Sequence, residues 1–307
     1  MKSQIKRGIK KLLKPILSRL ENYINVRLQN NYNDLQNIID FKLRRITPLP
    51  IFNSLEYHLC EHCNLNCYGC DNFSPLADEE YEDINTFERD LHRFSMLSHG
   101  KLNTFKLLGG EPLLHPHIKD FIKVSRKHLP ETKIIIITNA IKLNQMSDSF
   151  FSTCAECDVI ISPTKYPINL PWNSIMNKME KFSLRLEFFN DEYIEKTSYH
   201  MTLDLSGNQD PVQSFLGCYH ANQCIFLRDG KLYPCSVVPN IHHFNKFFGK
   251  NLEVTEDDYI NIFKTNSFKE ISSFCASPIP FCRYCDTKKR SFGLKWRTSK
   301  KEIEEWT

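Results

Sequence analysis

LCEHCNLNCYGCDNF, residues 59–73, places Cys60, Cys63, Cys67 and Cys70 within one short stretch. Free cysteine is kept for its chemistry more often than for its packing, so the cluster asks for a ligand. Four thiols would close a metal site, whereas three would leave one position of the metal open. Spacing separates the rivals. A zinc ribbon or finger pairs two CxxC units across a dozen or more residues, but only three residues lie between Cys63 and Cys67. A bacterial ferredoxin run reads C-x2-C-x2-C-x3-C. Here the order is C-x2-C-x3-C-x2-C, followed by Asp71. Without Cys60, what remains is Cys63-x3-Cys67-x2-Cys70.

The 307 residues allow one large domain, or a main domain with a smaller one. With 41% apolar and 25% charged residues, 22 Phe and 12 Tyr, the chain has material for a sizeable core. A net charge of +4 is too small to argue for nucleic acid, and none is expected. No apolar core of signal-peptide length follows the basic N-terminus, and no apolar run approaches a membrane span. Twelve cysteines in such a chain read as metal-binding in a reducing cytoplasm.

Residues 1–20 carry Lys2, Lys6, Arg7, Lys10, Lys11, Lys14 and Arg19 and no acid. Ile5, Ile9, Leu12, Leu13, Ile16, Leu17 and Leu20 recur at helical spacing, giving an apolar face with a basic surround. Such a face suits an anionic surface, so residues 1–28 are read as a peripheral contact at the inner face of a membrane. A partner-docking extension is the competing reading. Helix is expected to about Leu43, and Pro48 and Pro50 close a leader of residues 1–50.

The chain then alternates. Strands are expected at Ser54–Leu59, Thr104–Leu108, Lys133–Thr138, Asp158–Ser162 and Leu184–Phe189, and helices at Asn85–Leu97, Pro116–His128 and near Trp172–Lys181. Asn85 with Glu88 reads as the opening of the first of these helices. Strand–helix alternation with β-branched strands argues a parallel sheet with crossover helices, whose ligands sit at the carboxyl ends of the strands. The cysteine stretch and Gly109–Gly110 fall at two such ends. From about Asp204 the rhythm changes. Cys224–Arg228 and Lys231–Cys235 flank an Asp229–Gly230 hairpin turn, a helix follows Thr255, and Phe281–Asp286 is a cysteine-bearing loop. Ser299 with Glu302 reads as the start of a short terminal helix.

CNLNCYGC resembles the CxxxCxΦC signature of radical S-adenosylmethionine (SAM) enzymes. That resemblance implies a [4Fe–4S] cluster held by Cys63, Cys67 and Cys70, with SAM on the fourth iron. Reductive cleavage of SAM would then give a 5′-deoxyadenosyl radical that takes hydrogen from a substrate. Gly69 stands where Φ is usually aromatic, and there its main chain would meet the adenine. Tyr68, one residue earlier, is read as packing beneath the loop. Gly109-Gly110-Glu111-Pro112 resembles the family's GGEP motif, which receives the SAM amino group through backbone and acid. Thr138-Asn139-Ala140 resembles TNG, with Ala for Gly, and Ser162 falls where the family often contacts the SAM ribose or carboxylate. The likeness covers residues 54–190. It implies an α/β fold, a partial (β/α)6 TIM-type barrel over residues 51–205.

Cys218, Gly230 and Cys235, followed by Cys282-x2-Cys285, resemble the auxiliary-cluster extension of such enzymes in its shorter, twitch-like rather than SPASM form. This makes residues 206–307 a small Fe–S domain. Cys224 competes with Cys218 for the first ligand position, and a four-cysteine zinc site has the same spacing. Cys154, Cys157 and Cys275 are read as structural thiols, and His115, His117, His242 and His243 as capping or solvent-facing. The Trp296–Trp306 segment is read as a helix covering core.

The resemblance implies an electron donor such as flavodoxin or ferredoxin. Its layout is similar to members associated with surface-polysaccharide genes, which points to a small-molecule or glycan-precursor substrate. A peptide- or protein-modifying maturase is the alternative. A non-catalytic zinc-binding scaffold is the rival from another class.

Overall fold

The computed structural model describes residues 33–189, 193 and 195–307. The basic stretch of residues 1–20, and the whole of the proposed membrane contact of residues 1–28, lie outside them. Residues 33–46 form helix α1. Residues up to Arg44 make one unit, in which Leu35, Ile38, Ile39 and Leu43 are exposed. Among the described residues no helix is long and apolar enough to cross a membrane. Residues Arg45–Thr307 form a second compact unit.

That unit is built on a seven-stranded sheet in the order β4-β3-β2-β1-β6-β7-β8. Strands β1 (Phe52–His58), β2 (Leu102–Leu108), β3 (Lys133–Thr138) and β4 (Val159–Pro163) run parallel. Strand β6 (Ile225–Arg228) pairs parallel with β1 on its other side. Strands β7 (Lys231–Tyr233) and β8 (Ile260–Asn261) extend the same sheet antiparallel. Residues 51–205 and 206–307 therefore share one sheet within one compact unit. The fold is a mixed α/β, mostly parallel partial barrel. Where a further strand was expected at Leu184–Phe189, Leu186 makes a single parallel bridge to Ile161. The backbone there still bonds to β4, with Glu187 N donating to Ile161 O at 3.0 Å.

Local chemistry explains the elements. β3 carries four consecutive isoleucines, three of them fully or almost fully buried between flanking layers. Helix α2 (Ile84–Ser98) is capped by Asp83, whose carboxylate accepts from Thr86 N at 2.9 Å, two residues earlier than the expected Asn85. It buries Phe87, Leu91 and Phe94 against the sheet, with Phe87 edge-on to Tyr57 at 4.8 Å and to Phe121 at 4.9 Å. Helices α3 (Ile118–His128), α4 (Asp148–Glu156) and α5 (Trp172–Lys181) complete the crossovers. The β6–β7 turn holds Asp229 at φ 50° and Gly230 at φ 70°, the paired left-handed residues of a two-residue hairpin.

The second half of the chain adds α6 (Pro211–Leu216), α7 (Val237–Phe248) and α8 (Phe268–Cys275). His242 and His243, read as capping or solvent-facing, lie on α7, where His243 is buried. Thr255 caps only a 3-10 turn, Glu256–Asp258, and α8 is the helix that follows. Strands β5 (Ser198–His200) and β9 (Ser291–Leu294) make a separate antiparallel pair. Phe73, Phe226, Phe244 and Trp306 belong to a second buried cluster beneath the cysteine loop. Cys154 and Cys275 are fully buried in the main core. All twelve cysteines are free thiols.

Candidate metal and cofactor site

The cysteine loop leaves β1 and is tied at once to the end of β2. Gly110 N donates to Cys60 O at 2.9 Å and Glu111 N to His62 O at 3.1 Å. This approach explains the glycine pair, because a Cβ on Gly109 would overlap the Cys60 carbonyl and one on Gly110 the His62 carbonyl. Gly69 has φ +61°, and a Cβ there would lie 2.7 Å from Tyr199 O. Conformation and space both exclude the aromatic expected at that position.

Cys63, Cys67 and Cys70 all line one cavity of about 680 Å³, within the range of small-molecule sites. Gly69, Gly109, Gly110, Glu111, Thr138 and Asn139 line it too. Cys60 does not; its Sγ donates to Glu111 O at 2.9 Å. Pro112 instead opens a 3-10 turn, and Ser162 is buried within β4. Thr164, two residues beyond Ser162, does reach the cavity. Burial pushes all three loop thiols upward, Cys70 to about 12, so without a metal they are protonated at neutral pH.

Glu111 is held by three hydrogen bonds within the protein. Its Oε1 accepts from Thr138 Oγ1 at 2.6 Å and from Leu113 N at 3.1 Å, and its Oε2 accepts from Asn139 N at 2.8 Å. The carboxyl thus staples the ends of β2 and β3 together at the cavity wall. Burial raises its pKa to about 7 even against these three donors. Asn139 Nδ2 reaches back to Asn64 Oδ1 at 2.8 Å, bringing the third strand's turn onto the cysteine loop. Ala140 takes φ +62°, the left-handed conformation for which the family's glycine is suited.

The chain's last residues close over the loop, which sequence reasoning missed. Trp296 Nε1 donates to Cys67 Sγ at 3.3 Å, Tyr68 N to Arg297 O at 3.0 Å, Ser299 N to Asn66 O at 3.0 Å and Trp306 Nε1 to Cys70 O at 2.8 Å. The Arg297 guanidinium lies 3.8 Å from the centre of the Tyr68 ring. Trp306 is buried as core, but the terminal helix shrinks to a 3-10 turn at Ile303–Glu305 because the preceding backbone is spent on the loop. On the other side, Glu61 bonds Arg228 and His243, with 2.8 Å to His243 Nε2. Burial disfavours this carboxylate, yet His58, Arg228 and His243 hold it well below the usual range.

Cys218, Cys235, Cys282 and Cys285 line a second cavity of about 20 Å³, together with Arg290. Cys224 is not among them; it lines the large cavity beside Glu56, Lys106 and Tyr219. The structure thus brings Cys218 to the other three thiols and separates Cys224 from them. Arg290 Nη1 donates to Cys218 Sγ at 3.3 Å. Burial opposes the Cys218 thiolate, but Arg290 and His220 bring its pKa down to about 5. His220 Nε2 lies 3.3 Å from Asp71 Oδ2. Burial disfavours the charged imidazole, and Asp71 and Cys218 outweigh it, raising His220 to about 9. The Asp71–His220 pair thus ties the cysteine loop to the segment that carries Cys218. Its only trace in the sequence is the Cys-x-His spacing at 218–220.

The residues fit the groups that the motifs imply. Three thiols, the soft donors that iron–sulfur centres use, face one cavity. Two hydroxyls lining it, Ser74 Oγ and Ser198 Oγ, are buried without a hydrogen-bond partner in the protein. The second set matches a four-thiolate centre in type and number. Among the described residues, no three His, Cys, Asp or Glu side chains are arranged around a single ion.

Residues 56–177 match the family model of the 4Fe-4S single cluster domain. Over that segment the three-cysteine motif and the match agree, and both liken it to an iron–sulfur domain that holds a [4Fe–4S] cluster. More particularly, the chain is 29% identical over 91 residues to GTP 3′,8-cyclase of Sulfurovum sp. (strain NBC37-1), covering 30% of this chain and 28% of that protein. GTP 3′,8-cyclase of Nautilia profundicola is 28% identical over 83 residues, covering 27% of this chain and 26% of that one. The chain thus spans little more than a quarter of the length of these curated relatives. The solved structure of BtrN in complex with AdoMet and 2-DOIA is 14% identical, covers 77% of this chain and 93% of that chain, and has a TM-score of 0.47.

Proposed function

We propose that the protein is a radical SAM enzyme in which Cys63, Cys67 and Cys70 ligate the reducing cluster and SAM occupies the 680 Å³ cavity. The observation that carries this reading is that three loop thiols face one cavity together with the Gly109–Gly110 backbone and Asn139. When bound, a three-thiolate [4Fe–4S] cluster leaves one iron for SAM and supplies the electron that cleaves it to methionine and a 5′-deoxyadenosyl radical.

The chain's own residues do the rest. Gly109 and Gly110 bring backbone close to the loop, and Glu111 fixes the Asn139 amide while its carboxylate lines the cavity that would receive the SAM amino group. Trp296 and Trp306 hold the loop closed from the other side, limiting water at the ligands. An electron donor such as flavodoxin or ferredoxin supplies the single electron.

The substrate reading is a small polyhydroxylated molecule, a sugar or surface-polysaccharide precursor. What supports it is a polar pair and two aromatic rings in the cavity lining. Lys106 Nζ and Glu56 Oε1 form a largely buried pair 3.0 Å apart on adjacent strands. A buried pair is a poor source of stability, but it offers a donor and an acceptor side by side to hydroxyl groups. Tyr219 and Phe292, each 61% exposed, place aromatic faces along the same cavity. Cys218, Cys235, Cys282 and Cys285 are read as ligands of an auxiliary iron–sulfur cluster.

Anaerobic reconstitution with iron and sulfide, followed by a metal count and a visible spectrum, tests the reading. A brown protein with about four irons per cluster and absorption near roughly 400 nm is expected. A colourless protein that binds zinc and refuses iron would contradict it.

A further inference from the structure

Arg290 stands beside the second cysteine set in an unusual state. Its Nη1 donates to Cys218 Sγ at 3.3 Å, while Nε and Nη2 are buried and find no acceptor within the protein. An unpaired buried donor costs about 1–3 kcal/mol, more when it is charged. A fold carries such a cost where an acceptor from outside the chain completes the site. The chemistry of that acceptor can be narrowed. Arg290 lines the same small cavity as Cys218, Cys235, Cys282 and Cys285, so the acceptor must sit among four soft donors. A zinc ion there brings no acceptor beyond the thiolates themselves. An iron–sulfur cluster brings inorganic sulfides as well, and these accept N–H hydrogen bonds.

We propose that Arg290 is a positioning and tuning residue, donating charge-assisted hydrogen bonds to the sulfur atoms of an auxiliary cluster and raising its reduction potential. This rests on the reading that the four cysteines hold an iron–sulfur centre. One-electron reduction adds one negative charge to the cluster and its thiolates without making or breaking a bond. A guanidinium within hydrogen-bond reach stabilises that added charge, so a low-potential donor delivers the electron more readily. The planar fork serves two sulfur atoms at once, which a lysine ammonium on a flexible stem does less well.

The test uses the full-length chain with Cys63, Cys67 and Cys70 changed to Ala, so that only the second centre is loaded. After anaerobic reconstitution, its midpoint potential is read by paramagnetic resonance during titration with dithionite. Arg290→Gln should shift the potential to more negative values at unchanged iron content, and Arg290→Lys should shift it less. Should the Gln variant not fold, the Lys variant carries the test, since it keeps the charge but loses the fork. Iron bound at full level with the same potential in either folded variant would overturn the role of Arg290 and leave the cluster standing. A parent chain that takes up zinc, or no iron at all, would overturn the cluster reading and the inference with it.

Discussion

Thr138 Oγ1 donates to Glu111 Oε1 at 2.6 Å, joining the end of β2 to the end of β3 at the rim of the cavity. The acid of the GGEP motif is therefore a staple, and its loss should be felt as misplaced backbone. Glu111→Gln turns one acceptor into a donor facing Asn139 N or Thr138 Oγ1, at a cost of about 1–3 kcal/mol. Urea unfolding of the metal-free protein measures this. Thr138→Val removes the same bond from the other side, so the double variant should lose less than the sum of the two. Strict additivity would show that the bond contributes nothing.

Gly110 and Gly69 admit no side chain, but for different reasons. At Gly110 the obstacle is the His62 carbonyl, so Gly110→Ala must part the cysteine loop from β2. At Gly69 the left-handed backbone adds strain to a 2.7 Å approach to Tyr199 O. Both variants should lose iron on reconstitution, and Gly69→Ala should also be destabilised by about 1–2 kcal/mol from its backbone alone. Full iron content in Gly110→Ala would refute the packing argument.

Cys218 and Cys224 should part company when metal is counted. Cys218→Ala should lose the auxiliary iron, while Cys224→Ala should retain all of it, because Cys224 faces the large cavity. Equal losses from the two variants would contradict this division.

The Cys218 thiol also makes a prediction about pH. Its pKa falls from 9.0 in the open chain to about 5 in the folded protein, where burial is outweighed by Arg290 and His220. A depressed acid stabilises the fold fully above its unfolded pKa, and that stability is lost as pH falls through the folded one. The stability difference between metal-free wild type and Cys218→Ser should therefore grow as pH rises from about 5 to 9, by a few kcal/mol at most. A difference that stays flat across this range would place the thiolate elsewhere.

What could be read from the chain was what is local. The spacing of Cys63, Cys67 and Cys70, the four isoleucines of β3 and the Asp229–Gly230 turn each declare themselves within a few residues. Long-range partners leave no such mark. Trp296 meets Cys67, and Arg290 meets Cys218, only because the sheet and the β5–β9 pair bring distant segments together. Where Ser162 and Cys224 come to lie was not legible for a related reason. Which way a residue faces near a strand end depends on where the strand starts and stops, and boundaries are the least legible part of a sequence. The capping pattern at Ser299 and Glu302 failed because tertiary pairing with the cysteine loop outweighed local helix preference.

The account turns on an open metal position behind three cysteines. Its most direct measurement is SAM cleavage by the anaerobically reconstituted, dithionite-reduced protein, with 5′-deoxyadenosine quantified. Wild type should form 5′-deoxyadenosine and Cys63→Ala, Cys67→Ala and Cys70→Ala none, whereas Cys60→Ala, whose thiol lies outside the cavity lining, should retain cleavage. A Cys63→Ala protein that still cleaves SAM would contradict the assignment.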